Sequence, residues 1–146
     1  MTPDVNVLIA AFRRDHPNHS IARTWLDRAR VSCAEGSASL TLLPMVMVGF
    51  LRLVTNPLVF VDPDSTADAV TFVDALLSSP GVELVAIAAE WPLLRQKLLT
   101  TALQGNDIPD AWIAAASEAA GEHLVTFDRD FRRLLPSRDV TVLEVK

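Results

Sequence analysis

Short apolar runs alternate with longer stretches of helical periodicity from one end of the chain to the other, and that alternation leaves few folds open. Thr2 to Val7 reads as a first strand running into a turn, and Val5 to Phe12 turns helical. From His19 to Arg30, Ile21, Ala22, Trp25, Leu26 and Ala29 recur at helical spacing. Ser39 to Leu43 reads as a second strand. Pro44 then opens a helix that runs through Leu53 and stops at Thr55, Asn56 and Pro57. Asp64 or Ser65 is placed to cap a helix from about Thr66 to Leu77. Val82 to Ile87 is a third strand, and Glu90 to Leu103 a helix. Ile108 to Ala120 has the cleanest helical pattern, with Ile108, Ala111, Trp112, Ala115, Ala116 and Ala119 on one apolar stripe. His123 to Thr126 and Val140 to Val145 complete the strands. The indoles of Trp25, Trp91 and Trp112 sit on apolar faces and read as core. The expectation is an α/β fold in one domain, residues 1–146, with a central, mainly parallel five-stranded sheet flanked by helices and right-handed crossovers.

Four aspartates stand where apolar runs end: Asp4, Asp110, Asp128 and Asp130. A parallel sheet can gather residues this far apart, because sites in open α/β sheets form outside the carboxyl ends of the strands. Gathered carboxylates repel one another unless a hard cation lies between them. Oxygen-rich, partly hydrated sites of this kind suit Mg²⁺ or Mn²⁺ and point to metal-assisted phosphodiester chemistry. Each acid also has a structural reading. Asp4 suits the N-cap of the helix behind it. Asp107 and Asp110 have the spacing of a capping arrangement, and acids in a first turn favour the helix dipole without any chemistry. Asp128 and Asp130 can be solvated turn residues paired with Arg129, Arg132 or Arg133. Arg52, Arg13 and Arg14 are candidates for phosphate or RNA contacts and equally for surface ion pairs. His16, His19 and His123 have neither a triad partner nor metal-ligand spacing.

The formal net charge of −5 excludes a nucleic-acid-binding module that works by bulk charge, so any RNA contact must use local patches. Arginine outnumbers lysine 11 to 2, which suits bidentate phosphate recognition. The 19 alanines alongside favour the plainer explanation of a GC-rich coding bias. The single cysteine, Cys33, forms no internal disulfide and has no zinc spacing around it, so a reduced, cytoplasmic setting is expected. Asp4 interrupts the N-terminal apolar stretch and Arg13 and Arg14 follow it, the reverse of a signal peptide. No apolar run reaches membrane-spanning length.

Four segments together carry a resemblance: DVNVLI (4–9), GFLRLVTNP (49–57), PDAWIAA (109–115) and TFDRDF (126–131). In this order and spacing they resemble a PIN domain, and more narrowly the VapC-type toxins of bacterial toxin–antitoxin pairs, from Asp4 to about Val145. The resemblance implies a PIN-like fold and a Mg²⁺-dependent endoribonuclease, with Mn²⁺ as a substitute. It implies Asp4, Asp110 and Asp128 as metal ligands and Asp130 as a further catalytic acid. Asn6, Thr126 and Asp107 would support them, and Arg52, Arg13 and Arg14 would face RNA. It also implies a cognate VapB-type antitoxin and a homodimer.

One departure stands out. The family carries a glutamate about two residues before the GFLR segment, where this chain has Met47, itself read as core. No acid occurs anywhere from Leu40 to Val61. Either fewer ligands suffice, or Asp107 compensates from the other side of the cleft, or the fold has lost efficient catalysis and holds RNA or a partner. Restoring the acid as Met47→Glu is expected to tighten Mg²⁺ or Mn²⁺ binding. Other acidic α/β classes fit poorly. A haloacid dehalogenase-type phosphatase wants Asp-x-Asp on the first strand, and this chain offers Asp4-Val5-Asn6. A receiver domain wants a lysine near the last strand, and only Lys146 lies nearby.

Overall fold

The computed structural model describes residues 1–86 and 89–144. Strand β1 is only Thr2–Pro3, because Asp4 ends it by capping helix α1, Val5–Phe12. There follow α2 (His19–Ala34), β2 (Leu40–Leu42), α3 (Pro44–Val54), α4 (Thr66–Leu77), β3 (Val82–Leu84), α5 (Glu90–Thr100), α6 (Asp107–Ala119), β4 (Leu124–Thr126) and β5 (Val140–Val142). A short 3-10 helix, Arg129–Arg133, lies between β4 and β5. Ser65, not Asp64, caps α4, accepting from the Asp68 N–H at 3.0 Å. The strands are shorter than their apolar runs suggest, since caps and turns claim the run ends. The predicted ends of the third and fifth strands, Ile87 and Val145, and also Lys146, lie outside the described residues.

Among the described residues all strand pairings are parallel, as the alternation of elements requires. One ladder has the order β1-β4-β5 and the other pairs β2 with β3. The Thr41 N–H donates to the Met1 carbonyl at 2.9 Å and joins the two. The joined order is β3-β2-β1-β4-β5. The chain thus builds outward from β1 in one direction through β2 and β3, then in the other through β4 and β5. That reversal opens a crevice beyond the carboxyl ends of β1 and β4, where α/β sheets bind ligands. Asp4 and Asp128 both follow those two strands.

The core beneath the crevice is built from Leu8, Leu26, Leu42, Val46, Phe50 and Leu124, all fully buried. Phe12, Phe50 and Phe72 pack as a trio with ring centroids 5.1 to 5.4 Å apart, tying α1 and α3 to α4. Gly49 keeps α3 close to α1, as a Cβ there would stand 3.0 Å from Val5 Cγ2. The small residues of α6 sink deep: Ala111, Ala114, Ala115, Ala116 and Ser117 are buried together with Ile113.

Two readings of the apolar pattern change. Trp25 packs against the core, but Trp91 and Trp112 are exposed. Helix α5 buries none of its residues fully, which leaves Trp91 at the surface. On α6 the alanines face the sheet, turning Ile108 and Trp112 outward.

Candidate functional site

Asp4 is fixed three ways by its position between a strand and a helix. Its N–H donates to the Val125 carbonyl on β4 at 2.8 Å, and its carbonyl accepts from Val7 and Leu8 in the first turn of α1. Its Oδ1 accepts from the Val5 N–H at 2.6 Å, and its Oδ2 from the Thr126 hydroxyl at 2.7 Å. The side chain is only 4% exposed. Burial raises its pKa above the ordinary carboxylate value, and the Asp128 charge adds to that. The bonds from Thr126 and Val5 oppose both.

Thr126, fully buried at the end of β4, ties three residues together. Its hydroxyl has one proton, donated to Asp4, and two lone pairs. One takes the Asn6 amide Nδ2–H at 3.1 Å and the other the Asp128 N–H at 2.9 Å. Asn6 completes the lattice by accepting the Phe127 N–H on its Oδ1 at 3.1 Å. The sequence expectation that Thr126 bonds a carboxylate agrees with this geometry.

Asp128 caps the 3-10 helix, its Oδ1 accepting from the Asp130 N–H at 2.8 Å. Asp110 lies in the first turn of α6, where among the described residues no hydrogen bond or ion pair reaches its carboxylate. Its pKa is pushed up to about 6, first by burial and then by the charges of Asp4, Asp128, Asp107 and Asp130. Asp4, Asp110 and Asp128, with Asn6, line one cleft of about 510 Å³ at the sheet's carboxyl edge. Arg52, from the last turn of α3, also lines it and is the one basic side chain among its described lining residues.

The remaining candidates sit elsewhere. Asp130 is exposed, does not line the cleft, and faces Arg133 at 3.8 Å. Asp107 opens α6 as its first residue. Asn106 takes the cap position there without a side-chain cap bond, so the expected Asp107 cap is absent. Arg13 is buried and committed. Its guanidinium donates to Asp64 Oδ2 at 2.6 Å and Asp15 Oδ2 at 2.8 Å, and lies 4.0 Å over the Phe60 ring. It holds the 62–64 segment to the end of α1 and is not available to RNA in the cleft. Arg14 lies beside it, also outside the cleft.

Met47, at the family's glutamate position, is 6% exposed inside the core cluster and does not line the cleft. The α3 face on the cleft is Met45, Val48, Gly49, Arg52 and Leu53. This corrects the expectation for Met47→Glu. A buried, unpaired carboxylate costs several kcal/mol, so that protein is expected to unfold far more easily and gain no metal affinity. Val48, 64% exposed on the cleft wall, is the position where an added acid should act. Val48→Glu is expected to fold normally and bind Mn²⁺ more tightly than wild type in a calorimetric titration. Equal affinity would mean that this wall stands too far from the acids.

The donor set suits a hard divalent cation in kind: oxygen only, anionic, and mutually repelling. Among the described residues no three carboxylate, imidazole or thiol groups converge closely enough to share one ion. Mg²⁺ tolerates this, because it keeps several waters and is commonly held by one or two carboxylates plus a substrate phosphate. The residues therefore fit a partly hydrated cation. Sequence reasoning missed the apolar half of the cleft, made by Val48, Leu94, Ile108 and Trp112. The signal lay in the four-residue spacing of Ile108 and Trp112 beside Asp110, which reads equally as core.

Residues 1–134 match the PIN domain family. The chain is 38% identical over 140 residues to Ribonuclease VapC31 of Mycobacterium tuberculosis, covering 94% of both chains. It is 37% identical over 138 residues to Ribonuclease VapC25 of the same organism, again covering 94% of both. The crystal structure of VapBC2 from Rickettsia felis, bound to a DNA fragment from its promoter, superposes with a TM-score of 0.66. It covers 98% of each chain at 17% identity, a likeness of fold. The chain belongs to the PIN domain family, among its VapC-type members. Among the described residues no helix is long and apolar enough to cross a membrane.

Proposed function

We propose that this protein is a Mg²⁺-dependent endoribonuclease, the toxin of a VapBC-type pair, working as a homodimer and restrained by a cognate VapB-type antitoxin. The observation that carries this reading is the gathering of Asp4, Asp110 and Asp128 around one cleft at the switch point of a parallel sheet. The names of its relatives support the same reading.

Asp4 and Asp110 would hold the cation, with Asp128 completing or sharing the shell. A bound divalent ion supplies Lewis-acid stabilisation of the charge developing on the phosphate and a nucleophile at neutral pH. The chain's own residues do the positioning. Thr126 and the Val5 N–H aim the two Asp4 oxygens, and Asn6 locks Thr126 in the orientation that does so. Asp128 is held by its bond from the Asp130 N–H, which gives exposed Asp130 a supporting role. Arg52 is placed to meet a phosphate oxygen at the cleft rim. Asp110, ionising near 6 in the metal-free protein, carries its full charge only above that pH, so affinity for the cation should climb as pH rises through about 6.

The test is cleavage of single-stranded RNA by the purified protein in Mg²⁺, with and without chelator, beside Asp4→Asn. Partners one step removed from a metal contribute about 10- to 100-fold, so losing a ligand should lower kcat about 100-fold or more. Growth arrest on expression should vanish with it. Asn at position 4 removes a buried charge but keeps only one of the two acceptor oxygens, so either the Val5 or the Thr126 bond is lost; the two effects offset, and the melting temperature should stay close to that of wild type. A sharp fall in melting temperature with unchanged specific activity would make Asp4 a helix cap and nothing more. The second reading, a weakened PIN module that only holds RNA or a partner, is favoured by the lack of three converging ligands. Binding of RNA without metal-dependent cleavage would select it.

A further inference from the structure

We infer that the cleft grips an unpaired base of its RNA substrate on the Trp112 indole, so that base burial holds the strand more than phosphate contacts do. This rests on the ribonuclease reading above and names how that site recognises its substrate.

The placement follows from helix geometry. At 3.6 residues per turn, Asp110 lies at one edge of the α6 face that borders the cleft. Pro109 and Ile113 occupy the middle, and Ile108 and Trp112, four residues apart, share the other edge. A helix with its side chains is about 10–12 Å across, so the indole stands within about that distance of Asp110, whose carboxylate shares the cleft with Asp4 and Asp128. That is the reach of a nucleotide flanking the one being cut. Trp112 is 42% exposed, and among the described residues no protein acceptor takes its Nε1 hydrogen. An indole buries more apolar surface than any other side chain, and leaving it on a cleft wall beside Val48 and Ile108, both exposed, is unfavourable unless something covers it. The cleft, at about 510 Å³, has the size of pockets that enclose small aromatic ligands.

Electrostatics point the same way. Among the described residues, three carboxylates and one arginine line the cleft, in a chain of net charge −5. Phosphates are poorly held there, and a bound divalent ion compensates only at the reacting centre. Binding energy must then come from surfaces without charge. Stacking a base on an aromatic ring contributes about 1–3 kcal/mol per base and tolerates any base, since each has a π-face. The base must be unpaired to reach the ring, so the substrate is single-stranded or looped RNA.

Steady-state kinetics on a short, mixed-sequence single-stranded RNA in fixed Mg²⁺ test this with wild type, Trp112→Ala and Trp112→Phe. Trp112→Ala is expected to raise KM about 5- to 150-fold with little change in kcat, and Trp112→Phe to recover most of the loss. With one cleft cation, log Kd should change with log salt at a slope of magnitude about 0.7, since single strands give about 0.7 per phosphate neutralised. A Trp112→Ala protein that melts normally and cleaves with wild-type KM overturns the proposal, as does a salt slope of about 2 or steeper. Wild type failing to cleave RNA at all would strike the ribonuclease reading instead. Tryptophan fluorescence would still decide this one. RNA should quench emission from Asp4→Asn, and the quench should disappear when Trp112→Phe is added. RNA binding with the quench retained, or no RNA binding, rules out the indole as the platform.

Discussion

In chelator at pH 7, Asp110→Asn should melt about 3–8 °C above wild type, and in Mg²⁺ it should cleave no RNA where wild type does. The Asp110 carboxyl titrates at about 6 in the fold against an ordinary 3.8, first because it is buried and then because of the negative charges of Asp4, Asp128, Asp107 and Asp130. Between those two pH values the folded chain binds a proton that the unfolded chain has released. Stability therefore falls as pH rises from about 3.8 to about 6 and stays lower above. A shift of about two units corresponds to about 3 kcal/mol, and solvent screening of a partly exposed group reduces it to about 1–2 kcal/mol. The amide removes that burden, so the gain should be full at pH 7 and absent near pH 4. Added Mg²⁺ should reverse the order, because only the protein with its ligands intact is stabilised by binding. Thermal melts of both proteins at pH 4 and pH 7, with and without Mg²⁺, give all four values. An Asp110→Asn protein less stable than wild type at pH 7 in chelator would show that Asp110 is there for its helix and not for a cation.

Thr126→Val should be the most damaging conservative change in the chain. Valine fills the same space, so packing is preserved and only the hydroxyl is lost. That hydroxyl serves Asp4, Asn6 and Asp128 at once. Its removal leaves a buried carboxylate without one donor and two donors without their acceptor. Each unsatisfied buried group costs about 1–3 kcal/mol, and part of this is recovered where water reaches Asn6 and Asp128. A net loss of about 2–4 kcal/mol follows, seen as a melting point lower by about 5–15 °C. Thr126→Ser restores the donor and should recover most of the stability and activity. Rescue by serine separates a positioning role from a packing role. If Thr126→Val melts with wild type and cleaves as well, the lattice contributes nothing and Asp4 needs no second anchor.

The acids were legible in the sequence for a physical reason. Asp4 and Asp128 follow strands that must lie parallel and adjacent once β and α segments alternate. Asp110 opens a helix that must pack on that sheet. Parallel topology then leaves their carboxylates little choice of edge. What stayed hidden depends on contacts between distant segments. Arg13 reads as a free cation until Asp64, far along the chain, is seen to bind it. Met47 and Val48 are neighbours on an apolar helix, and only the packing of α3 shows which faces the core and which the cleft. Trp112 stands among alanines at core spacing. Its outward position follows from how deeply those alanines let α6 sink, which no periodicity records.

We propose that the three aspartates form a divalent-metal nuclease site. The most direct measurement is an anomalous difference map from crystals soaked in Mn²⁺ at a concentration that supports RNA cleavage. The expected result is a peak in the cleft, about 2.1 Å from a carboxylate oxygen of Asp110 and of Asp4 or Asp128, with waters in the remaining positions. An empty cleft in crystals of protein that cleaves RNA under the same conditions, or a peak bound only elsewhere, would contradict it.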